Sequence, residues 1–559
     1  MKKTTILCAA LLVSLAAPGS SADAGPLERR GSTGETETEE TSTEPGQMHE
    51  LADALTPVPS DDGYRTCYEV FVRSFYDSDG DGIGDLNGVR EKLSYISDEM
   101  GFDEIWLMPI CPSPSYHKYD VTDYEAVDSS YGTPDDYQAL VDACHEKNIT
   151  VITDLVLNHT SSEHPWFTEA ADYLRSLPEG EEPDLSECPE VDYYHFSDTA
   201  QDGYASLSGT GWYYESRFAE TMPDLNLDSE AVRDEIRDIV KFWLDFGTDG
   251  FRLDAVTSYY TESSEDTTAF LTWLNSTVKE ISPDAYLVGE AWTDQASYAA
   301  YYASGVDSFF DFAFSGSEGA VARLARGKMS ALKFGNSLMQ EEELYASVNP
   351  DYINAPFFTN HDMARAAGYF TGSGASAQTK LAGALNLLMQ GNAFVYYGEE
   401  IGMRGSGKDE NKRAPMYWAA DGSAEGMCDA PPGMDSFSMT YPSEEEQSQQ
   451  PWSILNYYRT AIRIRSAFPA LKKGTTAVVE ELSDSDVCVF IRTKEGEEIP
   501  RVLVCLNASE ETRTVDLSSD GTAAGFADLA AVLTVNSDPV TLSDGILELP
   551  AQSIAFLIP

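Results

Sequence analysis

The chain has 559 residues, of which 42% are hydrophobic and 11% aromatic, which is enough for a large core and more than one domain. This composition excludes an intrinsically disordered protein. The formal net charge of −58 argues against nucleic acid or an anionic membrane as partner, because both would be repelled, and it suits a neutral substrate.

The first 24 residues have the features of a secretory signal peptide. Two lysines precede an apolar stretch of signal-peptide length, and Ala22, Asp23 and Ala24 form a cleavage site. This run is too short to span a bilayer, and no later segment offers a long uncharged apolar run, so we predict a secreted protein without a membrane span. Residues 25–60 are polar and rich in Thr and Glu, which predicts a disordered acidic linker that could hold the protein near a cell wall.

An acidic loop, DSDGDGIGDLNG, covers residues 77–88. Its first aspartates match the opening of an EF-hand, but Gly88 stands where that motif has a bidentate Glu, so an EF-hand is excluded. Alternating carboxylates on a glycine-rich loop can still wrap a hard cation. The alternative is a solvated acidic turn, but we favour calcium because closely spaced aspartates would repel one another without a cation. The candidate ligands are Asp77, Asp79, Asp81, Ile83 and Asp85.

From Cys67 to about Arg465, short strand-like runs alternate with helix-like stretches, which is typical of a parallel α/β sheet. There are eight such runs, the number that closes a (β/α)8 TIM barrel: CYEVFVRSF, EIWLMP, ITVITDLVLNH, TDGFRLDAV, AYLVGEAW, DSFFDFAF, APFFTNHD and AFVYYGEE. We therefore predict an α/β fold with a barrel at residues 61–157 and 229–467. A poorly periodic insert after the third strand predicts a small domain at residues 158–228. Short strands separated by Gly, Asn and Asp turns predict an antiparallel β-sandwich at residues 468–559.

The mature chain would keep seven of the eight cysteines, because Cys8 lies in the signal peptide. An odd number leaves at least one free thiol. Cys488 and Cys505 lie on either side of the turn KEGEE in a predicted hairpin, so they could form a disulfide across the strands or remain two buried thiols.

Polar residues fall at the carboxyl ends of several predicted strands, where the side chains of a barrel reach its open face. Arg252 and Asp254 are two residues apart on one strand, so they point to the same side. Each residue alone could be structural, but a shared rim indicates a site. The set consists of Asp154, Asn158, His159, Arg252, Asp254, Glu290, Asn360, His361 and Asp362.

Acids, histidines and an arginine without a cysteine or serine nucleophile fit glycoside hydrolysis. A retaining mechanism uses one carboxylate as nucleophile and one carboxylic acid as proton donor. Arg252 should keep Asp254 ionised, whereas burial beside the apolar Ala291 and Trp292 should raise the pKa of Glu290. Asp254 and Glu290 are therefore the candidates for these two roles.

Four blocks resemble, in order, the motifs of the α-amylase family of glycoside hydrolases (family 13): DLVLNH (154–159), GFRLDAV (250–256), GEAW (289–292) and FFTNHD (357–362). The resemblance covers about residues 64–467 and the terminal β-domain. It implies that Asp254 is the nucleophile, Glu290 the acid/base and Asp362 a stabiliser that distorts the reacting sugar. The residues that it implies in substrate binding are Tyr119, His159, Arg252 and His361.

The acidic loop is similar to one that binds a single structural calcium in oligosaccharide-cleaving members of this family, and the inserted and terminal domains correspond to the family's B and C domains. A second calcium site of many α-amylases is left open, since Ser258 stands where they have a histidine. Within the family the chain most resembles the α-amylases intermediate between the oligo-1,6-glucosidase and neopullulanase subfamilies, because MPDLN (222–226) has an intermediate form.

The resemblance implies a monomer that cleaves internal α-1,4 bonds of starch and maltooligosaccharides. Tyr116 stands where exo-acting relatives have an aspartate that closes the pocket, and Ala255 stands where α-1,6-specific relatives tend to have valine. An exo-acting oligosaccharide α-glucosidase and a 4-α-glucanotransferase remain alternatives. A non-catalytic binding or transporter-partner subunit is a third, but it would not need three intact acidic residues.

Overall fold

The computed structural model describes residues 46–60, 62–178, 180–261 and 263–559. The predicted signal peptide and most of the predicted linker lie outside the described residues. The strands are β1 (Thr66–Val70), β2 (Glu104–Leu107), β3 (Thr150–Leu155), β4 (Phe196–Ser197), β5 (Tyr204–Ser206), β6 (Tyr213–Glu215), β7 (Gly250–Leu253), β8 (Tyr286–Gly289), β9 (Ser308–Phe309), β10 (Ala393–Tyr396), β11 (Thr475–Val478), β12 (Val487–Thr493), β13 (Arg501–Asn507), β14 (Arg513–Asp516), β15 (Asp528–Leu533), β16 (Thr541–Ser543), β17 (Ile546–Leu549) and β18 (Ser553–Ile558).

The α-helices are α1 (Gln47–Ala54), α2 (Leu86–Glu91), α3 (Pro134–Glu146), α4 (Pro165–Ser176), α5 (Glu230–Asp245), α6 (Ser264–Ile281), α7 (Gln295–Ala300), α8 (Ala320–Ala325), α9 (Ala331–Val348), α10 (Ala375–Leu388), α11 (Asp409–Lys412), α12 (Glu444–Ser448), α13 (Ile454–Ala467) and α14 (Pro469–Lys473). Local sequence sets several of their starts. In α3, for example, Thr133 and Asp136 form a capping box ahead of the buried apolar face. Within the described ranges, no helix combines the length and the apolar character needed to cross a membrane.

The central sheet is parallel, with strand order β10-β1-β2-β3-β7-β8-β9. The predicted seventh strand is present only as two parallel bridges, from Ala355 to Phe310 and from Phe357 to Phe394. They join the two ends of the sheet and close the barrel. Pro356 lies between them and has no N–H to donate, which explains why the pairing there is so short. The predicted (β/α)8 barrel is thus confirmed.

The barrel strands are short and almost fully buried, as expected where helices cover the outside and side chains fill the inside. A separate apolar cluster fills the barrel interior, with Cys67, Trp106, Ile152, Val288 and Phe394 among its members. This packed interior leaves the carboxyl ends of the strands as the open face.

The inserted domain and the terminal domain also match the predicted fold. Between β3 and β7 the chain forms α4 and a three-stranded antiparallel sheet of order β4-β6-β5. A bridge between His159 and Asp224 ties this insert to the end of β3. After α14 the chain forms a five-stranded sheet, β11-β12-β13-β18-β15, and a three-stranded sheet, β14-β17-β16, both antiparallel.

The prediction of disorder is wrong for residues 46–60. This segment contains α1, which buries Met48 and Ala52 against β15 and α13. Gln47 also exchanges two hydrogen bonds of 2.9 Å with the backbone of Val540. The apolar residues of α1 recur at helical spacing, and this amphipathic signal outweighs the acidic composition that suggested a linker.

The disulfide alternative is also wrong, because every cysteine among the described residues is free. In the β12–β13 pairing, Cys488 faces Leu506 and Val489 faces Cys505. This offset of one residue directs the two thiols to opposite faces of the sheet, where both are buried.

Candidate active site

The barrel brings the polar residues of the strand ends together around one cleft. Asp154 lies in β3 and Arg252 in β7, while Asp254 and Glu290 directly follow β7 and β8. The cleft has a volume of about 410 Å³. Its lining consists of His117, Tyr119, His159, Phe218, Met222, Asp254, Ala255, Thr257, Ser258, Glu290, Trp292, Asp362, Asp409 and Arg413.

Arg252 is the cation at the centre of the site and is 0% exposed. Its Nη1 atom lies 2.5 Å from Oδ1 of Asp154 and 2.5 Å from Oδ1 of Asp254, and its Nη2 atom lies 3.0 Å from Oε2 of Glu290. A buried guanidinium requires such partners, since an unpaired buried charge is strongly unfavourable. Arg252 therefore fixes the positions of three carboxylates relative to one another.

Glu290 has the raised pKa that the sequence predicted. Burial raises the pKa of Glu290 to about 7; Arg252 opposes this shift, and Asp254 and Asp362 add to it. Oε2 of Glu290 also accepts a 3.0 Å hydrogen bond from the N–H of Ala255. Ala255 has φ of 49°, so the left-handed turn after Asp254 aims this N–H at Glu290.

His361 lies between two carboxylates. Its Nδ1 atom is 2.6 Å from Oε1 of Glu69, and its Nε2 atom is 3.1 Å from Oδ2 of Asp362. Burial lowers the pKa of His361, but Asp362 and Glu69 outweigh it and raise the value to about 9. The ring is therefore an imidazolium at neutral pH and can donate from both nitrogens.

Asp362 remains an anion in this setting. Burial works to raise its pKa, but His361 and Arg413 hold the pKa well below its ordinary value. Nη2 of Arg413 lies 2.7 Å from Oδ1 of Asp362. The carboxylate is thus held from two sides at the wall of the cleft.

Tyr119 and His159 complete the set of predicted residues. The ring of Tyr119 lies nearly parallel to that of His361, at 13° and a centroid distance of 5.4 Å, and its hydroxyl is 2.7 Å from Nε2 of His361. His159 donates from Nε2 to the carbonyl of Tyr119 at 3.2 Å. Burial lowers the pKa of His159, so this ring is neutral at neutral pH. The structure thus brings together all seven predicted catalytic and substrate-binding residues.

Two residues of the site were missed from the sequence, Glu69 and Arg413. Glu69 is a buried acid inside the apolar strand β1, and an acid in such a run is a signal that could have been used. Arg413 comes from the long loop after β10, and nothing in the sequence indicates where that loop passes. Its Nη1 atom lies 3.3 Å from the hydroxyl of Tyr116.

The acidic loop places carboxylate oxygens of Asp77, Asp79 and Asp85 within 4.8 Å of one another. Asp81 lies outside this group and accepts a 2.7 Å hydrogen bond from the N–H of Ile83. The N–H groups of the loop glycines at positions 80 and 82 each bond to the Asp77 carboxylate at 2.7 Å. Three converging carboxylates are hard oxygen donors, so the residues present fit a cation such as Ca²⁺.

Comparison with known proteins agrees with this geometry. The family model "Alpha amylase, catalytic domain" matches residues 69–474. The chain therefore belongs to the α-amylase family and is a glycoside hydrolase.

The names of individual relatives state different activities. The chain is 38% identical over 472 residues to "Alpha-amylase 3" of Dictyoglomus thermophilum, covering 81% of this chain and 86% of that protein. It is 31% identical over 526 residues to "Trehalose synthase/amylase TreS" of Mycobacterium tuberculosis, covering 83% and 85%. Among solved structures, "Eubacterium rectale Amy13B" superposes with a TM-score of 0.88 at 49% identity, covering 92% of this chain and 99% of that chain.

Proposed function

We propose that the chain is a secreted, retaining α-amylase that cleaves internal α-1,4 bonds of starch and maltooligosaccharides. The observation that carries this proposal is the arrangement of Asp254 and Glu290 about Arg252. Both carboxylates contact the same guanidinium, yet burial raises the pKa of Glu290 to about 7, so that it can hold a proton at neutral pH. An anion and an acid at one site are the two groups that a double displacement needs.

In the proposed mechanism, the carboxylate of Asp254 attacks the anomeric carbon while Glu290 donates its proton to the leaving oxygen. The result is a glycosyl ester on Asp254 and a released chain that carries a new free hydroxyl. Glu290, now a carboxylate, then takes a proton from water as the water attacks the ester, which restores both groups and retains the configuration. Asp362, His361 and His159 would hold the hydroxyls of the reacting ring.

The cleft supports internal cleavage. Tyr116 packs against Phe71 with a centroid distance of 6.2 Å and is held beside Arg413, which leaves no carboxylate at that position to cap a non-reducing end. Phe218 and Trp292 line the cleft and are each 53% exposed, so they offer flat surfaces for sugar rings on the path of a longer chain. The small side chain of Ala255 favours α-1,4 over α-1,6 bonds only modestly.

A maltooligosaccharide blocked at its non-reducing end tests this proposal. An endo-acting enzyme cuts the blocked chain and releases oligosaccharides first. Failure on the blocked substrate, with glucose as the sole early product from the unblocked one, would instead support an exo-acting α-glucosidase.

The second candidate is that exo-acting glucosidase or a glucan transferase. It is favoured by relatives such as "Oligo-1,6-glucosidase" of Heyndrickxia coagulans, which is 29% identical over 540 residues and matches 81% of this chain and 93% of that protein. A time course of products from maltooligosaccharides separates the two, because a transferase makes chains longer than its substrate. The intact Asp254, Glu290 and Asp362 count against a non-catalytic binding subunit.

We further propose that the cation of the acidic loop is calcium and that it is structural, with Asp77, Asp79 and Asp85 as its carboxylate ligands. The converging oxygens support this ligand set. Ile83 and Asp81 stay as predictions for the remaining positions. Export and a monomeric state stay predictions as well, and fractionation of a producing culture together with light scattering on the purified protein tests them.

A further inference from the structure

The loop after β10 lies along residues 74–82, which lead from the end of β1 into the first half of the acidic loop. We name residues 413–429 of this loop the wall segment, because Arg413 at its start lines the cleft. Three hydrogen bonds join the wall segment to the residues just before the acidic loop: Ser74 Oγ to Arg413 O (2.8 Å), Met416 N to Ser74 O (2.8 Å) and Trp418 Nε1 to Phe75 O (2.6 Å). Two more join it to the acidic loop itself: Asp77 N to Gly426 O (3.1 Å) and Asp429 N to Gly82 O (2.8 Å).

Two glycines allow the close approach at the acidic end. Gly426 has φ of +79°, and a Cβ atom there would lie 1.9 Å from the ring of Tyr76. Gly82 has φ of +90°, and a Cβ atom there would lie 2.5 Å from Oδ2 of Asp429. A side chain at either position would be strained by the positive φ; it would displace the Tyr76 ring at Gly426 and the Asp429 carboxylate at Gly82. The end of the wall segment is therefore seated directly on the loop that carries the converging carboxylates.

The other end of the wall segment reaches the chemistry. Arg413 is buried, and besides its 2.7 Å ion pair with Asp362 it donates from Nε to the carbonyl of His361 at 3.4 Å. Its own carbonyl accepts the hydrogen bond from Ser74. The backbone of Arg413 is thus held by Ser74, three residues before the acidic loop, in the row of hydrogen bonds that continues to Asp77 and Gly82.

We propose that Arg413 is a positioning residue for Asp362 and that the wall segment couples cation binding at the acidic loop to the placement of this carboxylate. The inference rests on the proposed glucan hydrolysis and on the proposed calcium site. A cation bound by Asp77, Asp79 and Asp85 would stabilise the acidic loop. It would thereby favour the seated state, in which the wall segment is hydrogen-bonded to this loop and Arg413 forms its ion pair with Asp362. Linkage requires the reverse effect, so a ligand that favours the seated state should tighten cation binding by the same factor.

Gly426→Ala and Gly422→Ala form a matched pair of variants to test this coupling. Both lie in the wall segment, but a Cβ atom at Gly422 would have nothing within 4 Å. Calorimetric titration of Ca²⁺ into cation-depleted protein should show affinity about tenfold weaker in Gly426→Ala and unchanged in Gly422→Ala. At saturating Ca²⁺, kcat/KM on a chromogenic maltooligosaccharide should fall about three- to tenfold in Gly426→Ala alone.

Arg413 itself is tested by its two replacements. Arg413→Lys keeps a cation near Asp362 and should retain more kcat than Arg413→Met, with the difference in kcat larger than that in KM, if the residue positions a group used in the transition state. A purely structural role predicts equal kcat per folded molecule in the two variants. That outcome would overturn the positioning role.

The wild-type protein supplies a test that needs no variant. Its Ca²⁺ affinity should rise several-fold when a tight, non-hydrolysable pseudo-oligosaccharide occupies the cleft. Equal Ca²⁺ affinity in the two glycine variants, or weakened affinity in Gly426→Ala with unchanged kcat/KM, would overturn the coupling. The calorimetric comparison does not depend on turnover, so a wild-type protein inactive on glucans would refute the proposed function and leave this comparison intact.

Discussion

Replacing Glu69 with glutamine should destabilise the protein in a way that depends on pH. Glu69 pairs with His361 at 2.6 Å, and together with Asp362 it raises the pKa of this histidine from 6.5 to about 9 despite burial. Such a shift corresponds to about 3 kcal/mol of stabilisation of the imidazolium. Because Glu69 and Asp362 share this stabilisation, we expect Glu69→Gln to lower the free energy of unfolding by about 1–2 kcal/mol at neutral pH.

The pH dependence follows from the direction of the shift. Because the folded pKa of His361 lies above its unfolded value, the stabilisation is fully present below about pH 6.5 and is lost as the pH rises through about 9. Urea denaturation followed by tryptophan fluorescence, at pH values below 6.5 and above 9, should show a wild-type advantage that shrinks at the higher pH.

Glu104→Gln is the matched control. Glu104 is also a buried strand glutamate, and burial raises the pKa of both acids. At Glu69 the partner His361 opposes this shift, whereas the pKa of Glu104 is raised to about 8, so Glu104 is mostly protonated at neutral pH and glutamine replaces a neutral acid of the same shape. The reasoning is refuted if Glu69→Gln is no more destabilising than this control at neutral pH, or if its effect is the same on both sides of pH 9.

Three further predictions concern catalysis and the acidic loop. Glu290→Gln and Asp254→Asn should each retain less than about a hundredth of wild-type kcat with an unchanged circular dichroism spectrum, and more activity in either folded variant would contradict its assigned role. Since Glu290 must be protonated to act as acid and its pKa is raised to about 7, kcat/KM should fall as the pH rises above this value; a flat profile from pH 6 to 9 would exclude Glu290 as the acid. Chelation should lower the melting temperature of the wild type in calorimetry, and Asp79→Ala should abolish this response; an equal response in both proteins would leave a solvated acidic turn as the better interpretation.

The barrel and most of the site could be predicted because a residue at the carboxyl end of a strand in the sequence lies at the open face of the barrel. Arg252, Asp254 and Glu290 sit at or just after strand ends, and all parallel strands of a barrel end at one face. The proximity of these three residues could therefore be predicted from their places at the predicted strand ends. The raised pKa of Glu290 was predicted from its apolar neighbours in the chain.

The missed features depend on contacts between distant segments. Arg413 reaches Asp362 because the loop after β10 folds back along residues 74–82, and no local pattern encodes that path. Glu69 was hidden because its partner, His361, lies 292 residues further along the chain. The register of β12 and β13 placed Cys488 and Cys505 on opposite faces, a difference of one residue that sequence symmetry did not resolve.

Chemical rescue by azide tests the central claim most directly, because it reports the roles of Asp254 and Glu290 separately. In Glu290→Ala, azide should attack the glycosyl ester on Asp254 from the face that water uses and give an α-glycosyl azide. In Asp254→Ala, azide should replace the missing nucleophile and give the β-glycosyl azide from an activated α-glycosyl substrate. Proton NMR of the anomeric signal distinguishes the two products. A β product from Glu290→Ala with an α product from Asp254→Ala would contradict the assignment of nucleophile and acid.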